Sequence, residues 1–215
     1  MTDLDIFVSV GGTSNEEQET FVRAVEDRLR SEGLIPHTVG RNTFSSDAPL
    51  KAITELLDKC RGTVVIALER MHFAAGTEKR GGSKEIALTE TSLPTPWNQI
   101  EAALSYSRGL PLLVIVAEGI RSEGLLEPGY DWYVQRVSPV AASLHSNEFN
   151  GVLASWRKKI ASTQVLDAAP INPSEMTVGT LLSAVKPSQL WGVMLALGGV
   201  IAGAFALGLK FAGGA

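Results

Sequence analysis

The chain lacks the features that mark several common protein classes. Cys60 is the one cysteine among 215 residues, so an intramolecular disulfide is excluded and a reducing compartment is compatible. Residues 1–5 contain no basic stretch and no apolar run, and they do not resemble a secretory signal. The net charge is -4 and no basic run is longer than residues 157–159, which argues against nucleic acid as a partner.

Motifs for metals and dinucleotides are also scarce. The histidines His37, His72 and His145 are scattered, and no spacing of Cys, His or carboxylate residues suggests zinc. The chain has no G-x-x-x-x-G-K-[ST] motif, and Gly11-Gly12 is not continued as G-x-G-x-x-G. The sequence therefore predicts no resident metal and no resident cofactor.

One long apolar stretch dominates the end of the sequence. Residues 190–209 contain no charged side chain, and about 20 apolar residues suffice to cross the hydrocarbon of a bilayer. The pattern predicts a transmembrane helix over 189–210. Since only residues 211–215 follow, we expect a C-terminal single-pass anchor that leaves the N-terminal domain in the cytoplasm.

Two further features accompany this predicted span. Gly199 and Gly203 form a GxxxG pattern, which lets two helices approach closely and favours a homo-oligomer. The preceding residues, 162–188, have the composition of a linker with one short amphipathic helix. Membrane lipid is therefore a predicted partner.

The N-terminal residues, 1–161, alternate between strand and helix patterns. Strand patterns occur at 5–10, 35–39, 63–68, 112–116 and 130–137, and helix patterns at 14–33, 48–57, 95–108 and 148–161. This order predicts an α/β domain with a parallel sheet of the flavodoxin or Rossmann type. The long segment 69–93 between the third strand and the third helix is predicted to be a lid or a disordered insertion.

Local signals place the helix starts. Ser14 and Glu17 match the capping box that begins a helix, and Asp47 stands where it can cap the second helix. Thr95 followed by Pro96 predicts the start of the third helix, because threonine caps well and proline suits the first helical position.

Ligands of such sheets bind at the carboxyl ends of the strands. This rule selects residues that follow the first, second and third strands and those at the start of the third helix: Gly11, Gly12, Arg41, Asn42, Glu69, Arg70, Trp97, Asn98 and Glu101. Glu101 lies four residues after Trp97 on the same helical face, so its carboxylate is expected to be partly buried. Apolar surroundings would raise its pKa and donors such as Arg41 or Asn98 would keep it charged; a purely structural glutamate is the other alternative.

The same residues resemble two related families. The first strand with Phe21 and Leu29, the loop 40–47, and Trp97-x-x-x-Glu101 resemble, in that order, the first strand, the second-strand loop and the W-x-x-x-E helix of TIR domains. The stretch 97–116 is also similar to nucleoside 2-deoxyribosyltransferases. Both resemblances place a catalytic glutamate at Glu101, and both families break an N-glycosidic bond between a base and a ribose.

The resemblances imply a membrane-anchored TIR-like enzyme. It would hydrolyse the N-glycosidic bond of NAD or of a nucleoside or nucleotide through Glu101, with a role in bacterial stress or antiviral defence. Trp97 would line the pocket, Asn98 would bond a ribose hydroxyl, and the backbone of Gly11 and Gly12 would approach a phosphate. The alternative is a non-catalytic sensor of a nucleotide-like small molecule, in which ligand-driven clustering acts through the transmembrane helix.

Overall fold

The structure, a computed structural model, describes residues 4–162. The predicted linker beyond Ser162, the predicted span 189–210, and the pair Gly199 and Gly203 lie outside the described residues. None of the helices between residues 4 and 162 is both long and apolar enough to cross a bilayer. The membrane anchor and its orientation therefore stay predictions.

The described residues form a layered α/β domain. In chain order its elements are β1 (Leu4–Val10), α1 (Glu16–Ser31), β2 (Leu34–His37), α2 (Pro49–Leu57), β3 (Gly62–Ala67), β4 (Met71–Glu78), β5 (Ile86–Leu93), α3 (Pro96–Ser107), β6 (Leu112–Ala117), β7 (Tyr133–Val137) and α4 (Asn147–Ser162). Five strands pair in parallel in the order β2-β1-β3-β6-β7. The predicted parallel α/β sheet is confirmed, and its strand order reverses between β1 and β3, as in flavodoxin-like folds.

Strand β1, an interior strand of the sheet, shows how the sheet is covered on both faces. Ile6 and Val8 belong to a core that includes buried side chains of α1 and α4. Phe7 points the other way and packs with Ile53 and Leu57 of α2. Because side chains alternate along a strand, Ser9 shares the face of Phe7, which is also the face that α3 contacts. A polar residue of the core is thereby placed under α3.

Helix α1 begins one residue later than the capping-box pattern predicted. The N-cap is Asn15, whose side chain accepts a hydrogen bond of 2.9 Å from the backbone N–H of Gln18. The Gln18 side chain in turn accepts from the N–H of Ser14 at 2.8 Å. Asn15 is the cap and the Gln18 side chain reaches back to Ser14, so the prediction of Ser14 and Glu17 as the capping pair was wrong by one position.

The start of α2 also differs from the prediction. Its N-cap is Ala48, without a side-chain hydrogen bond, while the Asp47 carboxylate accepts from the Lys51 ammonium group at 3.0 Å. Pro49 occupies the first helical position, where its missing N–H costs little. Asp47 is therefore not the cap that the sequence predicted, because its carboxylate reaches forward to a lysine one turn into the helix.

The segment 69–93 is an ordered hairpin, not a disordered insertion. Strands β4 and β5 pair antiparallel from Met71 opposite Leu93 to Glu78 opposite Ile86, and they form a separate two-stranded sheet. The turn contains Gly81 in the left-handed region (φ +76°), a conformation that glycine adopts without strain. The glycines and charges of this turn suggested an irregular insertion, although they are the ordinary residues of a hairpin turn.

Strand β7 begins at Tyr133, three residues after the predicted start at 130. The preceding aromatic residues, Tyr130 and Trp132, stack on each other outside the strand with ring centroids 4.6 Å apart. This surface cluster lies outside the sheet.

Candidate active site

A cavity of about 330 Å³ opens at the carboxyl ends of the strands, beside the point where the strand order reverses. Parallel sheets bind ligands at this place because neighbouring connections diverge to opposite faces there. The lining comes from the ends of three strands and the starts of two helices: Val10, Gly11, Gly12, Val39, Pro49, Ile53, Arg70, Thr95, Trp97 and Glu101. The predicted crevice therefore exists at the predicted edge of the sheet.

Helix α3 brings Glu101 into the lining. Its N-cap is Thr95, whose side-chain oxygen accepts from the N–H of Trp97 at 3.4 Å, and Pro96 is the first helical residue, as the sequence predicted. Glu101 follows one turn after Trp97, so both side chains face the cavity. The side chain of Glu101 is nearly removed from solvent, with 8% of its residue surface exposed.

A buried network positions the Glu101 carboxyl group. The Asn98 amide nitrogen donates to the hydroxyl of Ser9 at 3.0 Å and to the Ser9 carbonyl oxygen at 3.2 Å. Because the Ser9 hydroxyl accepts from Asn98, its own proton is available for the Glu101 carboxylate, to which it is hydrogen-bonded. The side chains of β1 and α3 are thereby linked into one Asn98–Ser9–Glu101 chain.

Burial raises the pKa of Glu101 to about 7, although the hydrogen bond from Ser9 opposes this rise. No arginine or lysine contributes to the shift, so the two donors proposed from the sequence, Arg41 and Asn98, do not hold Glu101 charged. Near neutral pH the group is present in both its acidic and its carboxylate form. Such a group can donate a proton to a leaving atom or stabilise a developing positive charge.

Asn98 is not available to a ribose hydroxyl through its amide nitrogen. It is 1% exposed, and its nitrogen is already used by Ser9 and, at 3.5 Å, by the carbonyl oxygen of Ile66. Its amide oxygen is buried without a hydrogen-bond partner among the described residues. We therefore correct the predicted role: Asn98 lies behind the cavity and positions Ser9.

Arg41 and Asn42 lie away from the cavity. The guanidinium of Arg41 binds Glu19 through two contacts of 2.9 and 3.0 Å, and it also reaches Glu26. These bonds hold the pKa of Glu19 at about 2. Asn42 closes its own loop: its side chain accepts from the N–H of Thr38 and donates to the carbonyl oxygen of Pro36. Both predicted site residues are thus used to fix the β2–α2 loop.

The root of the hairpin lies next to the cavity. The Glu69 carboxylate accepts from the Ser92 hydroxyl, and its backbone oxygen accepts from the Gln18 side chain at 3.0 Å. Glu69 does not line the main cavity but a much smaller space of about 10 Å³ beside it, together with Asn98. Arg70 lines both spaces and is exposed, and its guanidinium makes no ion pair within residues 4–162.

Sequence reasoning found Gly11, Gly12, Arg70, Trp97 and Glu101 but missed other lining residues and Ser9. The missed lining residues lie at the end of β1, just after β2, in α2 and at the cap of α3: Val10, Val39, Pro49, Ile53 and Thr95. The signal for Ser9 was present, because it is a polar residue that directly follows the apolar run Ile6-Phe7-Val8 of a buried strand. Among residues 4–162 no group of three or more His, Cys, Asp or Glu side chains could hold a metal ion.

The two adjacent glycines offer a contrasting pair of substitutions. A Cβ atom at Gly12 would meet nothing within 4 Å, so Gly12→Leu is expected to fill the cavity without strain in the fold. A Cβ atom at Gly11 would lie 2.9 Å from the Thr95 methyl group. We expect Gly11→Ala to destabilise the fold by about 1–3 kcal/mol through this overpacking at the cap of α3.

Urea unfolding and ligand binding measured on both variants test this contrast. Gly12→Leu should retain the stability of the wild type within about 0.5 kcal/mol while losing ligand binding. Unimpaired binding in a folded Gly12→Leu variant would show that ligands do not use this cavity.

Comparison of the sequence with protein-family models and with curated proteins finds no match. Among solved structures, the chain is similar to the CMP N-glycosidase BcmB of Clostridium botulinum. The two are 11% identical, the match covers 70% of this chain and 98% of that chain, and the TM-score is 0.40. A likeness at this level assigns neither a family nor an activity, so the function has to be inferred from the site itself.

Proposed function

We propose that this chain hydrolyses the N-glycosidic bond of a nucleoside or nucleotide, with Glu101 as the catalytic residue. The observation that carries the proposal is the nearly buried Glu101 carboxyl group in the wall of the cavity, with its pKa raised to about 7. Perturbed carboxyl groups in clefts are the usual acids, bases and nucleophiles of enzymes.

The chemistry requires the bond between C1′ of the sugar and a base nitrogen to break. The bonding electrons leave with the base, a water molecule adds to C1′ and releases one proton to solvent, and the sugar carbon passes through a cation-like transition state. A Glu101 carboxylate would stabilise that positive charge, and a protonated Glu101 would supply the proton that a neutral base needs on leaving. A base that is already cationic, as in NAD, leaves without this proton.

The size of the cavity favours a single nucleoside unit over a dinucleotide. Small-molecule sites usually enclose about 300–1,000 Å³, and the volume here, about 330 Å³, is close to the lower limit. Trp97 in the lining offers a ring face on which a base can stack, and Arg70 offers a positive charge to a phosphate. NAD, which the sequence also suggested, fits this space less well than a mononucleotide.

The experiment that tests the proposal is an assay of released base. The purified full chain is incubated with a panel of nucleosides, nucleoside monophosphates and NAD, and the products are separated chromatographically. Release of a free base together with the sugar or sugar phosphate supports hydrolysis. Binding of a panel member without release of base would contradict hydrolysis and would favour the alternative function, a nucleotide-binding sensor.

Arg70 provides a prediction about substrate choice. A guanidinium bound to phosphate contributes about 1.5–3 kcal/mol. We therefore expect Arg70→Gln to raise KM for a nucleoside monophosphate roughly tenfold to a hundredfold. The corresponding nucleoside, which has no phosphate, should be turned over as by the wild type.

The matched control is Arg80→Gln in the turn of the hairpin, an exposed arginine away from the cavity lining. It should leave KM for both substrates unchanged. Equal losses on nucleoside and nucleotide in Arg70→Gln would mean that Arg70 shapes the site without binding phosphate.

The predicted membrane anchor adds a proposal about where the reaction occurs. The apolar residues 190–209 would tie the cavity-bearing domain to a bilayer, with the domain in the cytoplasm. Fractionation of cells that express the full chain tests this: the protein should sediment with membranes and stay there in high salt. A role in stress or antiviral defence rests on the TIR-like motif alone and stays a prediction.

A further inference from the structure

Two buried hydroxyl groups contact Glu101, one at its side chain and one at its backbone. The Ser9 hydroxyl is hydrogen-bonded to the Glu101 carboxyl group. The Ser105 hydroxyl donates to the backbone carbonyl oxygen of Glu101 at 2.8 Å, and it accepts from the hydroxyl of Thr63 on β3, also at 2.8 Å. All three residues that carry these hydroxyl groups are at most 1% exposed. The carboxyl group and the backbone of Glu101 are thus held by separate contacts.

Asn98 fixes the direction of the contact with the carboxyl group. Its amide nitrogen lies 3.0 Å from the Ser9 hydroxyl, 3.2 Å from the Ser9 carbonyl oxygen and 3.5 Å from the Ile66 carbonyl oxygen. Because the two carbonyl groups can only accept, the donor end of the amide faces them, and the reverse orientation of the amide is excluded. The Ser9 hydroxyl therefore accepts from Asn98, and its single proton remains for Glu101.

We propose that Asn98 and Ser9 are positioning residues: together they keep a hydrogen-bond donor aimed at the Glu101 carboxyl group and thereby favour its negatively charged form. Both residues are 1% exposed and neither lines the main cavity, so they act through Glu101 and not by touching a substrate. The inference rests on the proposed function, because it concerns the group that would act in that reaction.

The donor matters because Glu101 is otherwise in surroundings that oppose ionisation. Burial is the largest influence on Glu101 and raises its pKa, and the hydrogen bond from Ser9 lowers it. A hydrogen bond to the carboxylate favours the charged form. Without the Ser9 proton, burial would act unopposed and the carboxyl group would keep its proton to higher pH. The Ser9 hydroxyl thus controls what fraction of Glu101 is ionised near neutral pH.

The Ser105 hydroxyl has a different effect, although it is equally buried and equally close to Glu101 along the network. It bonds a backbone carbonyl group, which does not titrate, and it connects α3 to β3 through Thr63. Its removal leaves the Thr63 hydroxyl without this acceptor but leaves the proton of Ser9 in place. Ser105 is therefore a matched control for a purely structural role.

The test compares Ser9→Ala with Ser105→Ala in the full chain. Ser9→Ala removes only the hydroxyl group, and the Asn98 nitrogen keeps its two carbonyl acceptors, so we expect this variant to fold. The pH midpoint of its rate profile should lie about 1 pH unit above that of the wild type. Ser105→Ala should lower the free energy of unfolding and leave the midpoint unchanged.

A second readout does not require turnover. The side-chain carboxyl carbon of Glu101 is followed by NMR against pH in protein labelled with ¹³C-glutamate, and its signal is the one missing from Glu101→Gln. The titration midpoint should rise in Ser9→Ala by the same amount as the rate profile. A wild type that releases no base would contradict the proposed function. An unchanged titration of Glu101 in Ser9→Ala would overturn the inference, whether or not the chain is active.

Asn98→Ala tests the other member of the pair. In this variant the Ser9 hydroxyl no longer receives the amide and can turn to another acceptor, so the Glu101 midpoint should also rise. Combining both changes should move the midpoint no further than Ser9→Ala alone, because Asn98 acts only through that hydroxyl. Additive shifts would overturn the proposed chain of action. If Asn98→Ala does not fold, Ser9→Ala and its control still decide the matter.

Discussion

Replacing Glu101 by glutamine is expected to lower the rate of base release by about 100-fold or more. Glutamine retains the size of the side chain and can still accept the hydrogen bond of Ser9, but it can neither donate a proton of suitable acidity nor stabilise a positive charge. The measurement is kcat for the best substrate of the panel, with folding checked by circular dichroism. Glu17→Gln, an exposed carboxylate on α1, is the control and should keep full activity.

The pH dependence of the wild type distinguishes the two possible roles of Glu101. If the carboxylate acts, the rate rises as the pH passes through about 7, where Glu101 loses its proton. If the acid acts, the rate falls over the same interval. A Glu101→Gln variant that retains wild-type turnover would contradict the proposed function, whichever pH profile the wild type shows.

The second large effect concerns stability. The pKa of Glu101 is raised by burial from its ordinary value of 4.5 to about 7, so the folded state binds this proton more tightly than the unfolded state. The contribution of Glu101 to the free energy of unfolding is fully present below pH 4.5 and is lost as the pH rises to about 7 and beyond. The shift corresponds to a loss on the order of 3 kcal/mol in the free energy of unfolding.

Urea unfolding of the wild type and of Glu101→Gln between pH 5 and pH 8 measures this effect. The difference between the two proteins isolates Glu101, because glutamine does not titrate. We expect the free energy of unfolding of Glu101→Gln to increase, relative to that of the wild type, as the pH rises. Glu19 does not interfere, since its pKa, lowered to about 2 by Arg41, places its own titration in more acidic solution. A difference independent of pH would show that Glu101 titrates normally.

The two groups of predictions are separable. If Glu101→Gln loses activity but shows no pH-dependent difference in the free energy of unfolding, Glu101 is catalytic and its pKa is not raised by burial. The reverse result would describe a buried structural glutamate, which was the alternative left open by the sequence.

Local patterns predicted much of the architecture. The six residues of β3 are all buried, and a continuous apolar run is the usual sequence of a strand covered on both faces. Thr95-Pro96 marked the start of α3, and the turn between Trp97 and Glu101 put both on one face. The hairpin was missed because β4 is almost wholly exposed, β5 is half exposed and both are mixed in polarity, so neither a buried run nor a clear alternation marked them.

Predictions about which polar residues meet were less successful. Arg41 was expected near Glu101, yet its guanidinium binds Glu19 and Glu26 on α1. The residue that does reach Glu101 is Ser9, more than ninety positions away along the chain. Arg41 and Glu19 attract each other over a short distance that the sequence does not show, and this attraction removes the arginine from the cavity.

By itself, the sequence determined the alternation of strands and helices, the parallel sheet, the edge at which its cavity opens, and a glutamate on the inward face of α3. Each of these follows from the spacing of apolar residues within one segment, which decides the conformation and the buried face of that segment. The tertiary structure alone decided that Asn98, Ser9 and Glu101 form one network and that β4 and β5 pair as a hairpin beside the cavity. Such pairings depend on the register in which distant segments pack, and the pattern within a single segment contains no information about that register.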